Sequence, residues 1–154
     1  MRAGKGAPAM KTPPGHRFPV RVYFEDTDAG GVAYHANYLR WAERARTESL
    51  RSMHLPHALM MERHNSMLVV RRIEVEYVRP ARLDEALLVE TRIRDVGAAT
   101  LDLEQDVLRE EGEEVLARLR VGLVCVAASG LRPVRLPEPW RGRLVALVRG
   151  ADAP

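Results

Sequence analysis

Cysteine and long apolar runs are both scarce in this sequence of 154 residues. The single cysteine, Cys125, excludes an intramolecular disulfide and a cysteine-based zinc cluster, in agreement with a reducing compartment. No apolar run approaches the roughly 20 residues that span a bilayer, and the basic start of the chain lacks the apolar core of a signal peptide. We therefore expect a cytoplasmic protein without a transmembrane segment, which could meet a membrane only peripherally, at its inner face.

Acidic residues are scarce at the two ends of the chain, which explains its net charge of +3. Residues 1–17 and 130–154 together carry +7, so the body between them carries −4. An acidic body is unsuited to following a phosphate backbone, and the few aromatic residues do not interleave with the basic ones. We therefore expect solvated basic ends and no nucleic-acid partner. The same ends could attract an acidic acyl-carrier protein.

The length and composition predict one folded domain, with 46% hydrophobic and 29% charged residues. Residues 1–17, rich in Gly, Pro and Lys, predict a flexible basic arm, because they cannot bury enough apolar surface to offset the entropy of ordering. We assign residues 18–137 to the folded domain. Residues 138–154 are assigned to a C-terminal extension, with a short helix expected over about 136–148.

One helical pattern and several strand patterns make up the folded part of the chain. Between Ala36 and about Met53, apolar residues recur at helical spacing. A β-type run precedes this helix, and alternating apolar and polar residues follow it. The five runs are 19–25, 73–77, 87–94, 101–107 and 115–125. Short, turn-like connections between the last four predict an antiparallel meander.

The predicted class is α+β, with an antiparallel five-stranded sheet wrapped around one long central helix. Such a sheet leaves long edge strands unpaired. Pairing with a second copy would cover an edge, so a homodimer is expected.

The densest group of reactive residue types lies in residues 23–38, directly before and at the start of the predicted helix. Asp28 precedes Gly30 and Gly31, which permit positive φ and a close approach of the backbone to a ligand. His35 stands where the helix begins, and a helix N-terminus offers free N–H groups and a positive dipole end to a developing oxyanion. Asp28 could therefore act as nucleophile or general base, with His35 orienting water or substrate. In the purely structural alternative, Asp28 caps a turn and His35 has no chemical role.

Three charged positions outside this segment are candidate contributors to a site. Glu43 lies about two helical turns beyond His35, on the same side of the predicted helix, and could support it. An ordinary helix acid is the alternative. Arg71 and Arg72 could reach phosphate groups, with a solvated strand face as the alternative.

The other histidines and the cysteine are expected to be structural. His54, His57 and His64 with Glu62 have the residue types of a metal site, but they follow the helix in a predicted loop, so no metal is assigned. Cys125 lies between two valines late in a strand and is expected in the core. No P-loop, dinucleotide-binding glycine fingerprint or nucleophile elbow occurs.

A longer motif adds a family resemblance to this pattern. The string EDTDAGGVAYHANYLRWAERARTE, from Glu25 to Glu48, resembles the signature of hotdog-fold acyl-CoA thioesterases of the 4-hydroxybenzoyl-CoA thioesterase class, and most of all the YbgC-type, Tol-Pal-associated branch. The likeness continues through VRRIEVEY at 70–77, RPARLD at 79–84 and VCV at 124–126, and so covers about residues 18–137. The hotdog fold agrees with the order of helix and strands predicted above.

The resemblance implies hydrolysis of an acyl-CoA thioester to a free acid and a thiol, with no metal and no cofactor. Asp28 matches the essential carboxylate of the family, and His35 matches the histidine at the start of its helix. The backbone amide of His35 matches the oxyanion donor. Tyr34 and Arg72 are the predicted substrate-binding residues. Phe24 departs from the tyrosine of many relatives, which affects substrate positioning more than the reaction.

The resemblance also implies an active site at the interface of a homodimer or homotetramer. Two other functions stay open: an enoyl-thioester hydratase or dehydratase of the same fold, and a non-catalytic module that binds an acyl ligand or acyl-carrier protein. Those hydratases carry proline-marked motifs and a spacing other than the seven positions from Asp28 to His35. Neither the acyl chain length nor the choice between coenzyme A and acyl-carrier protein can be read from the sequence.

Overall fold

The computed structural model of the protein describes residues 15–152. Local sequence signals explain several element boundaries: Pro56 starts the second helix with an extended backbone, and Asn65 ends it in the left-handed region. The elements in chain order are β1 (His16–Arg21), a 3₁₀ turn (Phe24–Asp26), α1 (Asn37–Ser52), α2 (His57–His64), β2 (Ser66–Tyr77), β3 (Ala86–Val96), β4 (Thr100–Arg109), β5 (Val115–Ala127) and α3 (Trp140–Asp152).

The five strands form one antiparallel sheet in the order β1-β3-β4-β5-β2. This confirms the predicted α+β class and the five-stranded sheet. The predicted meander is correct for β3, β4 and β5 but wrong for β2, which pairs with β5 and not with β3. The physical reason is the connection at 78–85, which contains Pro80 and is too long for a tight hairpin turn. It carries the chain from one edge strand, β2, to a strand near the other edge.

Helix α1 lies against the sheet and provides much of the core. Its buried side chains include Tyr38, Trp41, Ala42, Ala45 and Leu50. The alanines leave little side-chain volume between the helix and the sheet, so the two backbones approach closely. The predicted central helix is therefore confirmed.

The structure moves two boundaries at the N-terminal side of the domain. Strand β1 begins at His16, so the last two residues of the predicted arm belong to the sheet. Arg17 Nε lies 2.8 Å from the buried Glu90 carboxylate, directly across the β1–β3 pair. Residues 1–14 of the predicted arm lie outside the described residues. The predicted strand at 19–25 ends at Arg21 instead, because Asp26 draws the next residues into the 3₁₀ turn.

Two predictions for the later part of the chain also change. The histidine-rich segment after α1 was expected to be a loop, and this is wrong: it contains the eight-residue helix α2. Helix α3 begins with Trp140, which is fully buried and donates from Nε1 to the Leu55 carbonyl at 2.9 Å. The C-terminal segment thus packs into the same core as the sheet. Across residues 15–152, every helix is too short or too polar to cross a membrane.

Candidate active site

The loop that carries Asp28 and His35 is organised by Asp26. The Asp26 carboxylate accepts a hydrogen bond from the Tyr23 amide at 2.8 Å. The Asp26 carbonyl accepts two more, from the Tyr34 amide and from Asn37 Nδ2, each at 2.8 Å. These bonds join the residues before the Asp28 turn to the first residue of α1, so the turn has fixed ends.

The segment between β2 and β3 holds the other side of this loop. The Ala33 amide donates to the Ala81 carbonyl at 2.8 Å, and the Ala81 amide donates to the Tyr38 hydroxyl at 2.9 Å. Burial raises the pKa of Tyr38, partly offset by this bond from Ala81, so the phenol stays neutral at physiological pH. The loop is therefore held between α1 and the connection that crosses the sheet.

Asp28 lies on the exposed side of the loop with one oxygen already engaged. Its Oδ1 accepts a hydrogen bond from the Gly30 amide at 2.9 Å, and its carbonyl accepts one from the Gly31 amide at 3.0 Å. Gly31 has φ of +76°, which the turn requires and which glycine adopts without strain. Asp28 is exposed, and its Oδ2 has no hydrogen-bond or ion-pair partner among the described residues. That oxygen is available for attack or for proton transfer.

His35 lies at the entry to α1, exposed and surrounded by tyrosines. Its ring centroid is 4.4 Å from that of Tyr34 and 6.4 Å from that of Tyr77. Its carbonyl accepts a hydrogen bond from the Tyr77 hydroxyl at 2.8 Å, which fixes the peptide in place. The His35 amide donates to no backbone carbonyl of residues 15–152. A free amide beside the positive end of a helix dipole can stabilise an oxyanion.

The other three predicted site residues, Tyr34, Glu43 and Arg72, lie in three different places. Tyr34 is exposed beside His35, as a substrate-binding residue would be. Glu43 is exposed on α1 and lines the cavity described below. Arg72 lies apart from α1: it is ion-paired to Glu74 on the outer face of the sheet, while the neighbouring Ile73 points to the α1 side. The strand alternation puts Arg72 and α1 on opposite faces.

A cavity of about 600 Å³ lies between α1, α2 and β2. Its walls are mostly apolar, with Leu39, Leu68 and Ile73 among them. Its wall includes Leu39 in the first turn of α1 and adjoins β2, whose outer edge is unpaired in this chain. A pocket of this size and polarity suits the acyl part of a ligand.

Sequence reasoning missed three residues that shape the site: Asn37, Tyr38 and Tyr77. Tyr38 was counted only as part of the helical apolar pattern, and Tyr77 only as the end of a strand. Their polar atoms contact backbone groups that are 11 to 43 positions away in the sequence. No local pattern could have indicated those contacts.

The remaining histidines do not converge. His54 follows α1 with φ of +61°, and His57 and His64 lie at opposite ends of α2. The His64 ring contacts the Trp140 ring edge-on, with the centroids 5.6 Å apart.

Cys125 is fully buried in β5, and burial raises the pKa of its thiol, so it behaves as a core residue.

The fold and the geometry of this loop agree with the comparisons. The profile of the Thioesterase-like superfamily matches residues 22–144. The crystal structure of a probable thioesterase from Bartonella henselae superposes with a TM-score of 0.74 at 38% identity, covering 79% of this chain and 98% of that one. The chain belongs to the thioesterase-like superfamily and has the hotdog fold.

Two curated relatives narrow this class. The chain is 42% identical over 124 residues to the acyl-CoA thioesterase YbgC of Haemophilus influenzae, which covers 80% of this chain and 90% of that protein. It is 46% identical over 123 residues to the acyl-CoA thioester hydrolase YbgC of Escherichia coli, over 79% and 90% of the two chains. The predicted family and branch, and the predicted enzyme class of thioester hydrolase, are confirmed.

His57 provides a pH-dependent prediction for the stability of this region. Burial lowers its pKa below the ordinary value of 6.5, and the Arg46 guanidinium lowers it further, with Arg51 adding to this and Glu43 opposing it. The unfolded chain therefore binds a proton more readily, so this contribution to stability is complete above about pH 6.5 and is lost as the pH falls below it. Urea unfolding measured from pH 8 to pH 5 should show that the free energy of unfolding falls less for His57→Gln than for the parent. His64→Gln, at the exposed end of α2, should follow the parent curve, and identical curves for all three would contradict the prediction.

Proposed function

We propose that this protein hydrolyses acyl-CoA thioesters at Asp28. The observation that carries the proposal is that one loop, leading into α1, holds both an exposed carboxylate, Asp28, and a backbone amide, that of His35, which donates to no backbone carbonyl of residues 15–152. One group supplies the attack on the carbonyl, and the other receives the negative charge that the attack places on the carbonyl oxygen. Both relatives named above are acyl-CoA thioester hydrolases, which supports this choice of substrate class.

Two routes lead from this geometry to the same products. In the first, Oδ2 of Asp28 attacks the thioester carbonyl, the C–S bond breaks to release the thiolate, and water then hydrolyses the mixed anhydride. In the second, Asp28 removes a proton from water as the water attacks, and the proton finally goes to the leaving thiolate. Either route converts thioester and water into carboxylic acid and thiol. The His35 amide holds the oxyanion in both.

Neighbouring groups then have positioning roles. The Tyr77 hydroxyl holds the His35 carbonyl and so orients the peptide unit at the helix entry. Tyr34 presents an exposed ring beside it for contact with substrate, and the His35 imidazole orients water or substrate. Glu43 lies on the cavity wall, where it could support a bound ligand. No metal or cofactor is needed for these steps.

We further propose that the working unit is a homodimer, in which β2 pairs with its copy. An unpaired edge strand of 12 residues is a ready template for a second chain, and Val70 on it is 47% exposed. The apolar cavity adjoins this edge, so pairing would place the site at a subunit interface. A further pairing of dimers into a homotetramer stays a prediction.

Sedimentation at micromolar concentration tests this assembly. The parent should be at least dimeric, and Val70→Asp should raise the dimer dissociation constant at least about tenfold, because it places a charge in the newly buried edge. Leu147→Asp on α3, a residue that is also 47% exposed, is the matched control and should leave the assembly unchanged. A parent protein that is monomeric and fully active would rule the proposal out.

The test of the reaction is release of free thiol from short, long and aromatic acyl-CoA esters, with acyl-carrier protein esters in parallel. Thiol release supports the proposal, and faster release from acyl-carrier protein would identify that carrier as the partner. Loss of an enoyl double bond without thiol release would indicate a hydratase or dehydratase. Binding without either reaction would indicate a non-catalytic acyl-binding module. A cytoplasmic location, with contact at the inner membrane face, stays a prediction.

A further inference from the structure

Arg46 is a buried cation on the face of α1 that packs into the core. Arg46 is only 9% exposed, and its neighbours on that face of α1 are Ala42, Ala45 and Leu50. Arginine is almost never buried to this extent unless a carboxylate or another strong acceptor compensates it. No ion pair within 4 Å joins Arg46 to a carboxylate among the described side chains. Its charge therefore requires another explanation.

A hydrogen-bonded relay holds the arginine in place without neutralising it. One terminal nitrogen of Arg46 donates to Gln105 Oε1 at 2.9 Å. Nε2 of the fully buried Gln105 donates to the Ala42 carbonyl and to the Thr91 hydroxyl, each at 2.9 Å. Both hydrogens of the amide are thereby engaged, so Oε1 must face the guanidinium. Gln105 and Thr91 lie directly opposite each other on β4 and β3, which makes the relay rigid.

The bond to Gln105 is the one hydrogen bond that the Arg46 guanidinium makes within the described part of the chain. Arg46 is part of the cavity wall. Among the described residues, no nitrogen of its side chain is both fully buried and without a hydrogen-bond partner. A guanidinium has five N–H donors, and the bond to Gln105 uses one. Burial lowers the pKa of Arg46, and the charge of the nearby Glu43 partly opposes this. Guanidinium groups stay protonated in proteins, so the cavity wall carries a fixed positive charge. Glu43, on the same wall, is exposed and forms no ion pair with it.

We propose that Arg46, positioned by Gln105, is a specificity-determining residue that binds a carboxylate at the far end of the acyl group, so that the enzyme prefers ω-carboxyacyl thioesters. This inference rests on the proposed thioester hydrolysis. A guanidinium fork matches the two oxygens of a carboxylate, and burial of Arg46, which is only 9% exposed, strengthens that attraction relative to water. A methyl-terminated chain in the same place would leave the cation desolvated and unpaired. The cavity is thus suited to a chain that is apolar along its length and anionic at its end.

A paired substrate series tests the preference. Coenzyme A esters of equal length, from about four to twelve carbons, are compared with a methyl end and with a carboxylate end. A charge-assisted hydrogen bond contributes about 1.5–3 kcal/mol, which corresponds to about 10- to 100-fold in kcat/KM. The parent should favour the carboxylate ester by that factor at the length that reaches Arg46. A preference for the methyl-terminated ester at every length would overturn the proposal.

Variants separate a binding role from a structural one. Arg46→Met should remove the preference by lowering kcat/KM for the carboxylate ester and leaving the methyl-terminated ester unchanged or faster. Arg44→Met, at an exposed arginine two positions away, is the matched control and should keep the parent preference. Equal losses for both esters in Arg46→Met would show a merely structural role. If Arg46→Met does not fold, Arg46→Lys is the second test, because lysine keeps the positive charge but lacks the two-pronged guanidinium. Arg46→Lys should show a reduced preference for the carboxylate ester. A preference as large as that of the parent would contradict the proposal.

A binding measurement distinguishes failure of this inference from failure of the proposed reaction. Calorimetric titration with octanedioic acid and octanoic acid, two candidate products of equal length, requires no catalysis. Tighter binding of the diacid to the parent, lost in Arg46→Met, supports the subsite even if no thiol is ever released. Equal binding of the two acids, or no binding of either, overturns the subsite even if thioesters are hydrolysed.

Discussion

Asp28→Asn is expected to lower kcat at least about 100-fold, equivalent to about 2.7 kcal/mol of lost transition-state stabilisation. The substitution removes the charge that attacks the carbonyl or deprotonates water. It keeps the shape of the turn, because the asparagine Oδ1 can still accept the Gly30 amide at the position that Asp28 Oδ1 occupies, 2.9 Å from that nitrogen. Assembly and substrate affinity should therefore survive. The measurement is free-thiol release at saturating acyl-CoA.

Two companion variants make this result specific. Glu25→Gln removes an exposed carboxylate from the same loop and should leave turnover near that of the parent. His35→Ala should be milder than Asp28→Asn, because it removes the imidazole but retains the backbone amide that we propose as the oxyanion donor. Turnover of every acyl-CoA by Asp28→Asn at the parent rate would disprove the assignment of catalysis to this residue.

Trp140→Ala is expected to lower the free energy of unfolding by about 3–5 kcal/mol, the usual cost of truncating a fully buried aromatic side chain. The indole belongs to the main core cluster and also donates its Nε1 hydrogen to the Leu55 carbonyl. Its removal leaves a cavity and an unsatisfied Leu55 carbonyl in the connection between α1 and α2. Urea unfolding, followed by the fluorescence of the remaining Trp41 at one fixed protein concentration, measures the change.

Trp140→Phe separates the two parts of this effect. Phenylalanine keeps most of the buried ring but has no donor for Leu55, so a smaller loss of about 1–3 kcal/mol is expected. Leu147→Ala, on the exposed side of α3, should change stability by no more than about 0.5 kcal/mol. Parent-like stability of Trp140→Ala would mean that the C-terminal segment is a separate extension, as the predicted boundary at 137/138 has it.

Periodicity predicts the helix and the strands of this protein because those signals are local. The apolar repeat that defines α1 lies within 16 consecutive residues, and each of the strands β3, β4 and β5 carries its own alternation. The order of the strands in the sheet, in contrast, depends on pairing between segments that are far apart in the sequence. Pairing of β2 with β3 or with β5 would bury the same alternating face, so the pattern of β2 could not predict its partner.

The candidate site divides in the same way. Asp28, the two glycines and His35 are close in sequence, and their residue types alone indicated a reactive turn before a helix. The structure then decided which atoms are free: Oδ1 of Asp28 is engaged by Gly30, and the His35 carbonyl is engaged by Tyr77, 42 positions away. Arg72, although chosen from the sequence, lies on the other face of the sheet, because it alternates along β2 with Ile73, which lines the cavity on the α1 side.

The sequence by itself determined the α+β class, the central helix, the family motif and the acid at position 28, since each depends on residues within one short segment. Only the tertiary structure decided the sheet order, the packing of Trp140 into the core, the hydrogen bond of Arg46 to Gln105 and the place of Arg46 on the wall of an apolar cavity. Those features depend on burial and hydrogen bonding between segments far apart in the chain. The free energy of such contacts belongs to the assembled fold, so no local pattern of residues can specify it.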